Sequence, residues 1–273
     1  MTVCIAMACE SHSRKKPALV LVLDKSLSLG GMTSVESGVK GRRLTRLWHV
    51  MVAGDDVSHA ESVVREASEK IEDVRADMAY VALQKILASA YKEVRARIIE
   101  DTFLGSFGWT LNEFMKNGNA LLPTSEFSHL LAQIQRFDLG CEFLAVGFES
   151  EKSSSGKMFH VTNPGVVTPV DFHNFAAIGS GAPNAYAYLA RREQDSYFSL
   201  EETIYNGIAA KVLAEKALGI GRETSVMIFK RDGYCASLES VDDIRRIWTE
   251  EEENVRPNNL QQRVKKLVKL IKF

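Results

Sequence analysis

Thr2-Val3-Cys4-Ile5-Ala6-Met7-Ala8-Cys9 and Ala18-Leu19-Val20-Leu21-Val22-Leu23 are two short apolar runs separated by the polar, basic stretch Ser11-His12-Ser13-Arg14-Lys15-Lys16-Pro17. Apolar runs of this length on either side of a polar loop read as a β-hairpin. Further short apolar runs at 35–39, 42–47 and 48–53, punctuated by Gly30-Gly31, Gly38 and Gly41, extend this opening as strands. After Gly54 the texture changes. Residues 58–70 are helical in pattern, and from 73 to 100 the apolar residues Val74, Met78, Val81, Ile86, Tyr91, Val94 and Ile98 recur close to a helical stripe.

Short helices are expected at 110–116 and 125–136, then strands at 142–148, 158–162 and 174–178. The last of these runs into Gly179-Ser180-Gly181. Helices at 184–194 and 200–218 follow, the second opened by Ser199 with Glu201 and Glu202, an N-terminal signature. A strand at 224–230 leads into the turn Arg231-Asp232-Gly233. The tail reads as two helices parted near Pro257, so residues 1–240 are expected to form one domain and 241–273 a helical extension. Within the tail, 261–273 is basic and amphipathic. It reads as a packing helix with a basic surface in preference to a membrane-surface or nucleic-acid-binding one.

Composition narrows the function classes. The chain has 273 residues, 45% of them apolar, and a net charge of −1. No global field draws it toward nucleic acid or a membrane surface. No run approaches the ~18 apolar residues of a membrane span. The first ten residues lack a signal-peptide pattern, and cytoplasmic location is the expectation. Cys4, Cys9, Cys141 and Cys235 are scattered with no C-x-x-C pair, which argues against a zinc or redox motif and for buried reduced thiols. No cofactor or metal is indicated.

The chemistry centres on Thr2. A small second residue permits removal of Met1, which would give Thr2 a free α-amine beside its own hydroxyl. That amine has a reference pKa of about 8, low enough to serve as a general base near neutral pH. Asp24 closes the second apolar run, Lys40 lies sixteen residues on, and Gly54 fourteen residues after that, just before the first helical pattern. A lysine beside a hydroxyl favours its alkoxide, and an aspartate keeps that lysine charged. A glycine at a strand–helix turn admits a substrate backbone and offers an N–H to an oxyanion. Gly179-Ser180-Gly181 also suggests a phosphate-binding turn, but the third glycine of a dinucleotide fingerprint falls on Asn184.

These features together resemble the proteasome β-subunit family, including its HslV-type bacterial peptidases. Val39-Lys40-Gly41-Arg42-Arg43-Leu44 is similar to the family's lysine strand, and Phe175-Ala176-Ala177-Ile178-Gly179-Ser180-Gly181-Ala182-Pro183 to its strand-to-helix Gly-Ser-Gly element. Ala214-Glu215-Lys216-Ala217-Leu218 and the strand from Ser225 fall where the family has its last helix and a late strand. The resemblance spans roughly 2–233 and implies a four-layer α/β/β/α sandwich, an N-terminal-nucleophile (Ntn) hydrolase of the threonine-peptidase type. It assigns Thr2 as nucleophile and base, Lys40 as its activator, Asp24 as the residue orienting Lys40, the Gly54 N–H as oxyanion donor, and Ser180 with Gly181 as support for the amine. It implies a peptide or unfolded-protein substrate and a homo-oligomeric ring, and it allows an ATPase unfoldase partner. A non-catalytic ring subunit and an acyl or peptidyl transferase using Thr2 are the alternatives. Departures from the family are Asp55-Asp56-Val57 in place of a second glycine, and Lys216 and Gly219 near positions where the family has an Asp and a Ser.

Overall fold

The computed structural model describes residues 2–11, 16–25, 27–29, 33–35, 40–55, 57–71, 77–217 and 219–252. Strands β1 (Cys4–Ser11) and β2 (Lys16–Asp24) form the antiparallel hairpin read from the sequence, with Cys4 opposite Leu23. Every residue from Ala18 to Asp24 is buried, so this strand has no solvent face. Burying a Val or Leu side chain contributes roughly 1.5–3 kcal/mol, which makes this continuous run a main stabilising element. Two more strands, β3 (Leu27–Leu29) and β4 (Thr33–Val35), form a separate two-stranded hairpin. Strands β5 (Gly41–Thr45) and β6 (Trp48–Gly54) begin the second large sheet.

Helices α1 (Val57–Glu69), α2 (Tyr80–Ile99), α3 (Leu111–Leu121) and α4 (Thr124–Arg136) come next. Strands β7 (Cys141–Gly147), β8 (Lys157–Thr162) and β9 (Val166–Pro169) complete the second sheet in the order β5-β6-β7-β8-β9. Strand β10 (Phe175–Ile178), helices α5 (Ala182–Arg191) and α6 (Leu200–Ala214), strands β11 (Thr224–Lys230) and β12 (Cys235–Ser237), and helix α7 (Val241–Glu252) finish the chain. The first sheet has the order β10-β1-β2-β11-β12. Both five-stranded sheets are antiparallel throughout.

Alternation along the strands splits the core. Ile5, Met7, Val20 and Val22 pack with Leu189, Ile208 and Ala209 of α5 and α6. Trp48, Val50, Phe143 and Phe159 pack with Val63, Leu87 and Tyr91 of α1 and α2. Their strand neighbours Ala6, Leu19, Leu21, Met51, Leu144 and Met158 join in a third cluster drawn from both sheets.

This arrangement corrects the expectation of a four-layer α/β/β/α Ntn-hydrolase sandwich with a C-terminal helical extension. The architecture is two five-stranded antiparallel sheets with helices, and the helices do not reduce to covering layers. Between α2 and β7 the chain builds a helical unit with its own apolar cluster, in which Ile99, Leu104, Phe114 and Ile134 are buried with Trp109, Phe127 and Leu131 against them. Thr110 and Glu113 form a reciprocal capping box that starts α3 there. In the tail, α7 (Val241–Glu252) packs Ile244 and Trp248 against the α5–α6 core, and the helix expected at 261–273 lies outside the described residues.

Local departures have local causes. The helix expected from 73 starts at Tyr80, because the residues just before it are tied elsewhere: Arg46 pairs with Asp77, and the Trp48 indole N–H donates to the Met78 carbonyl at 3.0 Å. β9 was not expected. It is a short, mostly exposed edge strand ending at Pro169, where a residue without an N–H costs nothing. Among the described residues no helix is long and apolar enough to cross a membrane.

His49 on β6 is buried, its ring edge-on to Phe229, and its Nδ1 has no hydrogen-bond partner among the described residues. Burial first, and then the charge of Arg43, push its pKa down from 6.5 to about 4. The folded protein therefore binds fewer protons here than the unfolded chain. Stability from this group is complete above pH 6.5 and is lost as pH falls toward 4, by on the order of 3 kcal/mol. His49→Leu should remove that loss. Urea unfolding at pH 7 and pH 4.5 checks it, and an equal acid loss in both proteins contradicts it.

Candidate functional site

The candidate residues meet at one end of the first sheet. Thr2 precedes β1 and Asp24 ends β2, and the Asp24 N–H donates to the Val3 carbonyl at 3.1 Å. The hairpin thus brings together two residues twenty-two apart in sequence. Lys40 arrives from the other sheet, just before β5, and its carbonyl accepts the Val52 N–H at 2.9 Å.

Thr2, Asp24 and Lys40 are all buried, with Asp24 fully enclosed. The Lys40 ammonium donates to Thr2 Oγ1 and, at 3.2 Å, to Asp24 Oδ2. Thr2 Oγ1 lies 3.5 Å from the same carboxylate oxygen. An ammonium has only donors, so the Thr2 oxygen must be the acceptor. The Lys40 cation therefore bears directly on the atom that would become an alkoxide. Asp24 balances that charge, without which a buried lysine would be costly.

The Gly179-Ser180-Gly181 turn follows β10 and embraces the Thr2 backbone. Thr2 N donates to Ser180 Oγ at 3.3 Å, Ser180 Oγ donates to the Thr2 carbonyl at 3.4 Å, and the Gly181 N–H donates to that carbonyl at 3.2 Å. The turn is occupied in holding Thr2, and this displaces the phosphate-binding reading of its glycines. In the chain as encoded Thr2 N is an amide joined to Met1; after removal of Met1 it would be an amine in the same place.

Gly54 stands apart. It ends β6 opposite Cys141, with a positive φ of 152°, and makes no hydrogen bond to Thr2 among the described residues. A β-carbon there would overlap the Gly140 carbonyl, so the close backbone approach requires glycine. Lys216 is exposed. From the segment beyond α6 it is Ile220 that packs against Gly181.

Three further residues border this site. Cys4 is fully buried and donates to the Val52 carbonyl at 3.5 Å; burial pushes its thiol up to about 12, so it is no thiolate nucleophile. Glu142 on β7 accepts the Gly179 N–H at 2.8 Å, and its other oxygen meets His160 Nε2 at 2.6 Å. Lys211 on α6 is fully buried, which lowers its pKa; it donates to Glu215 at 3.0 Å and to the Gly221 carbonyl. Glu215 also pairs with Arg245 of α7. The sequence signal for Glu142 is a lone charge inside an otherwise apolar strand, and for Lys211 a charge within the apolar stretch 208–214 of its helix. Among the described residues no group of three or more His, Cys, Asp or Glu is placed to hold a metal ion.

No family model matches the chain. No curated protein matches it. Similar solved structures include Anbu (ancestral beta-subunit) from Yersinia bercovieri, 14% identical with a TM-score of 0.65, and an Anbu (Gly-1) mutant from Hyphomicrobium sp. strain MC1, 15% identical with a TM-score of 0.61. In both cases 100% of each chain is covered. At this identity the likeness is one of fold. It corrects the sequence resemblance to the proteasome β-subunit and HslV-type peptidase family, since the neighbours are Anbu proteins. The stretches that carried that resemblance fix a lysine strand and a Gly-Ser-Gly turn. They constrain the surroundings of Thr2, not the lineage.

Proposed function

We propose that the chain is an N-terminal threonine hydrolase that cleaves peptide or other amide bonds through an ester on Thr2. The observation that carries this reading is the placement of Lys40 between Thr2 Oγ1 and Asp24. Fold likeness to a protein titled Anbu (ancestral beta-subunit) supports it. Removal of Met1 frees the α-amine, which takes the Oγ1 proton directly or through one water. Oγ1 then attacks the substrate carbonyl, and Lys40 stabilises the oxygen as its proton leaves. The oxyanion is met by the Gly54 N–H. The amine returns its proton to the departing nitrogen, leaving an acyl ester that water hydrolyses by the same base.

Ser180 and Gly181 hold Thr2 in register for both steps. A purely structural subunit has no use for a buried lysine on a threonine hydroxyl, which weighs against the scaffold alternative. Residues 1–240 carry this chemistry in the proposal, and 241–273 form an extension. The protein works in a reducing cytoplasm, where its cysteines stay free.

Replacing Thr2 separates nucleophile from bystander. Thr2→Ala should abolish hydrolysis of fluorogenic peptide amides, whereas Thr2→Ser, which keeps hydroxyl and amine, should retain measurable turnover. Equal activity in the Thr2→Ala protein sinks the proposal. Self-assembly into a homo-oligomer belongs to the same reading, and light scattering that returns a monomer overturns that part.

A further inference from the structure

Catalysis at Thr2 needs two things from different sheets to keep a fixed separation. The nucleophile sits at the end of β1, and the glycine at Gly54 ends β6. Catalytic groups must be held to within about 0.5 Å of productive geometry, so something must set the distance between the sheets at this end.

Glu142 is placed to do so. It lies on β7 opposite Ala53, one residue before Gly54. Its cross-strand partner Ala53 and its strand neighbour Leu144 belong to the cluster drawn from both sheets. From there its Oε1 reaches across to the Gly179 N–H of the first sheet at 2.8 Å. Gly179 directly follows Ile178, which pairs with Cys4, and opens the turn whose Ser180 and Gly181 bind Thr2. Oε2 is fixed by His160 on β8 at 2.6 Å. A carboxylate only accepts, so the proton of that bond is on His160 Nε2, and the imidazole locks the side chain in its rotamer. Burial raises the Glu142 carboxyl, but the bonds from His160 and the Gly179 N–H outweigh it and hold the group below the usual range.

We propose that Glu142, locked by His160, is a positioning residue that ties the Gly54 end of the second sheet to the turn supporting Thr2. It touches neither substrate nor reacting atoms. Its effect passes through Gly179 to Ser180 and Gly181, and so to the Thr2 backbone. This inference rests on Thr2 being the nucleophile.

The test uses the full-length protein and an epoxyketone directed at N-terminal threonine, with adduct formation followed by intact mass. Glu142→Leu, which removes the bond across the sheets, should lower the second-order rate of Thr2 modification about 30-fold, as expected for a small displacement of a reacting group. Glu142→Gln keeps an oxygen acceptor and should stay within about threefold of wild type. His160→Leu, which frees the Glu142 rotamer while sparing the contact itself, should fall between them. Thermal melting of each variant reports whether it is folded, and if Glu142→Leu does not fold, His160→Leu decides. A Glu142→Leu or His160→Leu protein that reacts at the wild-type rate overturns the proposal. So does Glu142→Gln if it is as slow as Glu142→Leu, because the acceptor would then not be what matters. Wild-type protein that forms no adduct overturns the reading of Thr2 itself, an outcome distinct from all of these.

Discussion

Lys40→Ala is expected to slow acylation of Thr2 about a thousandfold, the upper range for removing one preorganised group that stabilises a developing anion. The ammonium donates both to Thr2 Oγ1 and to Asp24 Oδ2, so one side chain serves the hydroxyl and the carboxylate together. Its loss leaves the hydroxyl beside a carboxylate, which opposes alkoxide formation rather than favouring it. The same change removes the ion pair of a fully buried aspartate, so a lower melting temperature is expected as well. Adduct formation by the folded protein, followed over time by intact mass, separates the two effects. A Lys40→Ala protein that acylates within a few-fold of wild type contradicts the mechanism.

Gly179→Ala should be nearly as damaging, for a steric reason. Gly179 has φ of 92°, and a β-carbon there would overlap the Thr2 carbonyl oxygen and lie 2.9 Å from the Thr2 carbonyl carbon. The backbone must shift, and the residue pushed is the proposed nucleophile. A loss of about 100-fold in reactivity is expected from displacing it, with a cost of about 2 kcal/mol from the strained conformation alone. Gly181→Ala is the comparison. There the nearest atom is the terminal Cδ1 of Ile220, which can move, although the Ala214 and Val3 β-carbons also come to 3.0 Å. Peptide-amide turnover should fall far less in that variant, and equal losses in the two variants contradict the assignment.

Much of the site could be read from the chain because it is built at strand ends. A hairpin of two apolar runs must bring Thr2 near Asp24, and a lysine before the next strand pair can reach both. Ser180 and Gly181 were legible for a related reason, since the apolar run 175–178 ends on them. Glu142 shows in the sequence only as a lone charge in an apolar run; its bond to the Gly179 N–H crosses between sheets, and no sequence spacing encodes which strand faces which. The fold was legible in its elements and not in their sum. The short patterns at 110–116 and 125–136 announce helices but not that α3 and α4 bury Phe114 in a separate cluster with Ile99 and Leu104. The start of α2 was masked by an apolar pattern that the Trp48 and Arg46 contacts override. Lineage was the least legible of all, because short stretches around Lys40 and Gly179 report on the site they build.

Whether Thr2 becomes an N-terminal nucleophile is decided by intact mass of the purified protein, before and after treatment with an N-terminal-threonine-directed epoxyketone. The expected result is a chain lacking Met1 that gains one adduct, with no adduct in the Thr2→Ala protein. Retained Met1, or an adduct that persists in Thr2→Ala, contradicts it.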